Sequence, residues 1–239
     1  GRASFMELYP LTLPEILTDS WKDTIHSSQL IRCLRDPQHF DHFAQELPPL
    51  LNKRYNLAKS EFVTYLWEGG MPALKDSSWS ALEKEDWLKD YNRTYLQRDV
   101  RDLVNLRDLD PFVHAQKILS TLTAQTINYS SLARQAGIDA KTAKRFMSYL
   151  EMSYQVIQLQ PWFRNRKKRL SKMPKLHFTD PAVQRTIIRR KGELTGHEFE
   201  SAVIAEIHKQ VKTWDVDADL YHLRTADGRE VDLLIELED

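Results

Sequence analysis

Two stretches near the C-terminus decide the fold: Gly196-His197-Glu198-Phe199-Glu200-Ser201-Ala202-Val203, and Leu223-Arg224-Thr225-Ala226-Asp227-Gly228-Arg229-Glu230-Val231-Asp232-Leu233-Leu234-Ile235-Glu236-Leu237. The first opens a helix over Gly196 to Val211, with Phe199, Val203, Ile204 and Ile207 as its inward face. Residues 215–219 read as a loop. Leu220 to Arg224 and Glu230 to Leu237 alternate as strands, joined by the hairpin turn Asp227-Gly228. On the second strand Asp232 points away from Val231 and Leu233 and shares a face with Glu230 and Leu234. A helix bearing Glu200 packed over that face brings carboxylates together. Mg²⁺ takes oxygen ligands and keeps several waters, so converging carboxylates are what metal-dependent phosphodiester cleavage needs. Such a site also wants a strand with Glu-x-Lys, the lysine orienting the attacking water. The sequence reaches Asp239 before one, so it reads as a piece of a longer protein with a site begun and not finished.

The 239 residues allow more than one domain, and an apolar fraction of 41% with six Trp fits a folded chain. Lys+Arg and Asp+Glu both total 34, but the charges are segregated. Seven basic residues and no acid lie between Arg164 and Lys175: Arg164, Arg166, Lys167, Lys168, Arg169, Lys172 and Lys175. From Glu193 to Asp239 acids outnumber bases thirteen to four. The single Cys33 excludes an internal disulfide and a cysteine zinc site and suits a reducing compartment, so the expected location is cytoplasmic. No run reaches the roughly 20 apolar residues of a membrane helix. The eight His have no metal-ligand spacing.

Along the chain, Phe5 to Leu11 alternates like a short strand ended by Pro10. Thr12, Pro14 and Glu15 mark a helix start. Ser60 is placed to cap a helix holding Phe62, Val63, Leu66 and Trp67, which Gly69-Gly70-Met71-Pro72 stops. A long helix is expected from about Trp79 to Leu106. Its apolar stripe passes from Leu88, Tyr91 and Tyr95 to Leu96, Val100 and Leu103, with Arg98-Asp99 inside it. Asp110-Pro111 is a boundary.

Beyond it the pattern changes. Phe112 to Ala124 is one helix and Asn128 to Ala136 a short second. Gly137 breaks the chain, and Asp139 caps a third helix from Ala140 to Glu151. Ala143, Phe146, Met147 and Leu150 fall on its buried face; Lys141, Lys144, Arg145 and Ser148 fall on the other. Val156 to Leu159 and Lys175 to Asp180 are strands, with the basic run as the tip between them. A helix-turn-helix followed by a hairpin is a winged helix. Lys141, Lys144 and Arg145 are then the residues to meet a major groove, and Arg164, Arg166, Lys167, Lys168 and Arg169 those to follow the phosphate backbone, so double-stranded DNA is the expected partner. The competing reading is a protein-contact module whose basic tip docks on the acidic C-terminal segment.

Several signatures recur in order: Gly1-Arg2; Leu8-Tyr9-Pro10-Leu11-Thr12-Leu13-Pro14-Glu15; Phe62-x-x-Tyr65-Leu66-x-x-Gly69-Gly70-Met71-Pro72; Tyr95-Leu96-Gln97-Arg98-Asp99; Pro174-Lys175-Leu176-His177-Phe178-Thr179-Asp180; Gly196 to Glu200; and Arg224-x-x-x-Gly228-x-Glu230-Val231-Asp232. Together they resemble the C-terminal part of a bacterial and archaeal family of AAA-type ATPases whose C-terminal region is called DUF4143. The resemblance implies an upstream ATPase module using ATP and Mg²⁺. The phosphate loop Gly-x-x-x-x-Gly-Lys-[Ser/Thr] is absent from this sequence, so this segment is expected to hold neither cofactor by itself. It implies that Arg2 senses the γ-phosphate or tethers the last strand of the ATPase core.

The expectation is an α+β chain in parts: residues 1–17 leaving the ATPase core, a mainly helical subdomain over 18–111, a winged helix over 112–180, and a truncated α/β domain over 181–239 similar to restriction endonucleases (PD-(D/E)XK-like). Glu200 and Asp232 are its candidate catalytic pair, with no metal held in the truncated site. The partners implied are DNA, the chain's own ATPase module and a second copy in a homo-oligomer, without a membrane. The expected function couples nucleotide hydrolysis to DNA or partner binding. The alternatives are a regulatory scaffold with a relic nuclease fold and an ATP-gated nuclease.

Overall fold

The computed structural model describes residues 7–20, 22–45, 53–100, 109–165, 173–225 and 228–237. It is a mixed α+β fold. In chain order the elements are α1 (Leu13–Ile16), α2 (Gln29–Arg35), α3 (Phe40–Gln45), α4 (Lys53–Glu68), α5 (Ala81–Tyr95), α6 (Asp110–Thr121), β1 (Gln125–Thr126), α7 (Tyr129–Ala136), α8 (Ala140–Met152), β2 (Val156–Pro161), β3 (Lys175–Phe178), α9 (Pro181–Ile187), α10 (Gly196–Thr213), β4 (Ala218–Arg224) and β5 (Glu230–Leu237). The strands form a sheet in the order β1-β3-β2-β4-β5. All pairings are antiparallel except β2 with β4, which is parallel. The sheet therefore runs from the segment read as a winged helix into the one read as endonuclease-like.

Capping chemistry places the helices. Thr12 and Glu15 form a reciprocal capping box at α1, Ser80 and Glu83 at α5, and Thr195 and Glu198 at α10. Asn128 accepts from Ser131 N–H to start α7. Gly137 ends it in the left-handed region at φ +67°, and Asp139 accepts from Thr142 N–H to start α8. α8 buries Ala143, Phe146, Met147 and Leu150 as its spacing requires. The ring of Phe146 meets Phe112 of α6 edge-on at 5.2 Å. These residues join Leu88, Tyr95, Leu119, Leu132 and Phe178 in the main core.

Several expectations change. The helix over Phe62 to Trp67 does not start at Ser60; α4 is already helical at Lys53, because Lys53 to Lys59 holds no breaker. The described part of the Phe5–Leu11 strand, from Glu7 on, pairs as no strand: Pro10 lacks a donor, and Leu11 N–H bonds to Gly70 C=O at 2.7 Å instead. The long helix changes pitch. α5 ends at Tyr95 and a π-helical turn covers Leu96–Val100. Tyr95 and Val100, five residues apart, are both buried, and the i, i+5 turn brings them to one face. The continuation toward Leu106 lies outside the described residues.

The inward face of α10 is not the stripe expected either. Ile204 is buried, Val203 and Ile207 are half-buried, and Phe199 stays 49% exposed, its ring edge-on to Phe62. Glu198, Ser201, Ala202, Ala205, Glu206, Lys209 and Gln210 take the interior instead. Ion pairs make this possible, since buried charges persist only when partnered. Glu198 pairs with Arg185 at 3.0 Å and Arg190 at 3.2 Å. Lys209 Nζ lies 2.9 Å from Glu206, donates to Leu11 C=O at 2.7 Å, and sits 4.6 Å from the Tyr65 ring centre. Glu206 also accepts from Leu13 N–H at 2.7 Å. The middle of α10 thus grips the segment Leu11–Leu13.

Asp180 ties a second corner. Fully buried, it accepts from the N–H groups of Gly70, Ala182 and Val183 at 2.7, 2.9 and 3.0 Å. Burial raises its pKa, against those hydrogen bonds and the charge of Lys209. Gly69, at φ +72°, packs so closely that a Cβ would collide with this carboxylate. The Gly69-Gly70 signature is therefore a helix stop built around Asp180, not a phosphate loop.

Candidate functional site

The most concentrated chemistry lies at the start of β3. Lys175 is almost fully buried, and its Nζ stands 2.6 Å from Glu200, 2.8 Å from Glu230 and 2.8 Å from Asp232. Glu200 comes from the first turns of α10, and Glu230 and Asp232 from one face of β5. The candidate pair Glu200 and Asp232 thus meets at a shared ammonium, although 32 positions separate the two. Burial by itself would lower the lysine pKa. Hydrogen bonds to Asp232, Glu200 and Glu230 outweigh it and hold the ammonium above its ordinary value. Burial raises the Glu200 carboxyl, with Lys175 opposing and the charges of Asp232 and Glu230 adding to the rise.

Beside Lys175 lie two histidines that sequence reasoning passed over. His177 is next on the same face of β3, and His222 comes from β4. Both are buried, and neither nitrogen of His177 has a hydrogen-bond partner among the described residues. Burial, then the charge of Lys175, pushes the His177 pKa down to about 3. Burial lowers His222 too, against a hydrogen bond with the Met173 backbone, and the charge of Lys175 adds to the fall. Both rings are neutral at pH 7.

These side chains fit an ammonium rather than a metal. Each of the three carboxylates commits an oxygen to Lys175, and among the described residues no group of three or more His, Cys, Asp or Glu is placed to hold a metal ion. Lys175 itself corrects a reading: it is not part of an exposed basic tip but the first, buried residue of β3. The signal was there in Lys175-x-His177-x-Thr179, polar groups at every second position of a strand, all on one face.

The nucleic-acid candidates are more dispersed. Lys141, Lys144 and Arg145 are exposed on α8, opposite its buried face, with Lys144 Nζ 5.6 Å from the Tyr129 ring centre. Arg164 is exposed beyond β2. Arg2, Arg166, Lys167, Lys168 and Arg169 lie outside the described residues, as does Asp227 of the turn. Gly228 shows the turn's positive φ, +88°.

The fold and its lysine–carboxylate knot define an α+β chain whose C-terminal helix and hairpin are fastened to the preceding sheet. Residues 59–194, more than half of the chain, match the family described as Domain of unknown function (DUF8612), and the chain belongs to that family. Residues 195–239 match Domain of unknown function (DUF4143), which bears out the resemblance of this segment to DUF4143. Uncharacterized protein Rv2008c of Mycobacterium tuberculosis and Uncharacterized protein Mb2031c of Mycobacterium bovis are each 29% identical to it over 184 residues. The alignment covers 72% of this chain but 40% of each relative, so the chain spans less than half the length of the curated relatives it matches. No solved structure matches it. Among the described residues no helix is long and apolar enough to cross a membrane.

Proposed function

We propose that this chain is the DNA-engaging arm of a nucleotide-driven AAA-type ATPase, with ATP and Mg²⁺ used by a module outside it. One observation carries the reading. α10 holds the segment Leu11–Leu13 through Glu206 and Lys209, and holds β3 and β5 through Glu200 and Lys175. Displacement of the segment near residues 11–13 therefore moves a rigid helix. That helix moves the sheet on which α6, α7 and α8 sit. β1, β3 and β2 flank these helices in the order of a winged helix, and α8 turns Lys141, Lys144 and Arg145 outward, which suits phosphate contacts.

The test is binding of a labelled duplex across a salt series. Wild-type affinity falls steeply with salt, and the triple variant K141A/K144A/R145A lowers the log–log slope by about 0.9 for every phosphate it no longer neutralises. Duplex binding insensitive to salt, or a slope unchanged in the variant, would remove DNA from the reading.

A regulatory scaffold is the second reading, and Lys175 favours it over an active nuclease. Ile204 of α10 packed with Leu220 and Leu233 of the β4–β5 hairpin, and Glu200 and Asp232 converging on Lys175, suit an endonuclease-like unit. The ammonium between them is a structural cation. Mg²⁺-dependent nicking of supercoiled plasmid that is lost in Glu200→Gln would restore the nuclease.

A further inference from the structure

Between β2 and β4 the sheet does not close. The two strands pair only at Gln160–Tyr221 and Pro161–His222, although β2 starts at Val156 and β4 at Ala218. The phase of the ladder shows what faces the gap. Thr179 N–H donates to Gln155 C=O, so Gln155–Thr179 is a hydrogen-bonded pair. Such pairs alternate in an antiparallel ladder, so Ile157–His177 and Leu159–Lys175 are hydrogen-bonded too. Val156 and Gln158 then turn their N–H and C=O groups away from β3, toward β4. Leu176 fixes the same phase, because its carbonyl accepts from Ala124 on the far edge of β3. On the other side, Trp162 N–H donates to His222 C=O, so Ala218, four residues earlier on β4, also directs its backbone groups toward β2.

These edges line a cleft of about 270 Å³. One bridging water needs only ~10–15 Å³, so a single water does not fill it. The walls add Tyr9, Tyr154 and His208, with Tyr9 edge-on to the other two rings at 5.6 and 5.4 Å. His208 is held neutral, its pKa pushed down to about 4 by burial, and its Nδ1 has no hydrogen-bond partner among the described residues. Glu7, Glu151 and Asp219 stand around the cleft against Lys212, leaving acid in excess.

We propose that this cleft is a strand-addition site for an extended peptide bearing basic side chains. Its main chain pairs with Val156 and Gln158, and its cationic side chains meet Glu7, Glu151 and Asp219. Residues 156 and 158 are ~7 Å apart along a strand, so three extended residues span both sets of backbone groups. Main-chain bonds supply affinity in this mode and side chains supply selectivity. The aliphatic stem of a lysine or arginine lies well against Tyr9 and Tyr154. The site is independent of the DNA reading, since it uses none of Lys141, Lys144 and Arg145.

The probe is the blocked peptide acetyl-(Lys-Val)₄-amide, with acetyl-(Glu-Val)₄-amide and a copy N-methylated at alternate amides as controls. Amide hydrogen exchange and fluorescence anisotropy are read on the full chain. The Lys-Val peptide slows exchange at Val156 and Gln158 and binds about 10-fold or more tighter than the Glu-Val peptide. The N-methylated copy does not bind. The double variant E151Q/D219N leaves the melting temperature in place and removes most of the charge preference. Equal affinity for the two peptides, or exchange at Val156 and Gln158 unchanged at saturating peptide, overturns the proposal. Protection of those amides that rises with protein concentration alone replaces the peptide with a second copy of the chain.

Discussion

At Gly69 the backbone sits at φ +72° and the Asp180 carboxylate lies where a side chain would begin. Gly69→Ala meets both penalties together, an unfavourable φ and a collision with a buried acid, so a loss of about 2–4 kcal/mol is expected in urea unfolding. A change below about 0.5 kcal/mol, the range of ordinary surface substitutions, would show that Asp180 is not held there. A second prediction concerns pH. The folded-state pKa of His177 is depressed to about 3, below its value in the unfolded chain. Its contribution to stability is present above pH ~6.5 and declines as the pH falls toward 3, because the unfolded chain takes up the proton first; by pH 5 the loss is about 2 kcal/mol. His208, at about 4, acts in the same sense. Asp180 and Glu200, raised by burial, act in the opposite one. Thermal melts at pH 7.5 and 5.5 should show a fall in Tm that His177→Gln reduces; an equal fall in both proteins would assign the effect elsewhere. At this scale the sequence was only partly legible. Glu200, Glu230 and Asp232 follow from strand alternation and a motif. Lys175 does not, because it ends a basic run and its partners lie 25 to 57 positions away. The alternation Lys175-x-His177-x-Thr179 marks one polar face of a strand, but nothing local tells that three distant acids will surround its lysine.

Among the elements, α10 has the most unusual interior, and its Lys209 has 0% exposure. Lys209→Met removes the cation from Glu206 and the donor from Leu11 C=O. Removing one partner of a buried pair costs about 3–5 kcal/mol, and the released segment should exchange its amides first. Hydrogen exchange over residues 10–17 that rises well before that of α6 and α8 is the expected outcome; uniform acceleration over the whole chain would deny α10 its grip on Leu11–Leu13. The helices most legible in sequence are those with local punctuation. Asn128, Gly137 and Asp139 fix α7 and α8 because caps and a left-handed glycine act within a few residues. The face of α10 was misread because periodicity counts apolar residues, and here Glu198, Glu206 and Lys209 are interior through partners on α9 and in the N-terminal segment. The pitch change at Leu96–Val100 was visible only as a drift of the stripe from Tyr95 to Leu96.

For the whole molecule, the absence of a phosphate loop from the sequence predicts that calorimetric titration with Mg-ATP gives no binding heat; stoichiometric binding would place a nucleotide site where no motif suggests one. The sheet has a further consequence. The β4–β5 hairpin pairs with the rest of the sheet at two residue pairs, Gln160–Tyr221 and Pro161–His222, while β4 and β5 share a ladder from Ala218–Leu237 to Arg224–Glu230. Under mechanical load the shorter seam yields before the longer ladder, because fewer bonds share the force. Lys175, joined to Glu230 and Asp232 across that seam, acts as its bolt. A pull strong enough to part β2 from β4 therefore has to break a salt bridge as well as a ladder, and the hairpin comes away as one piece, still paired with itself.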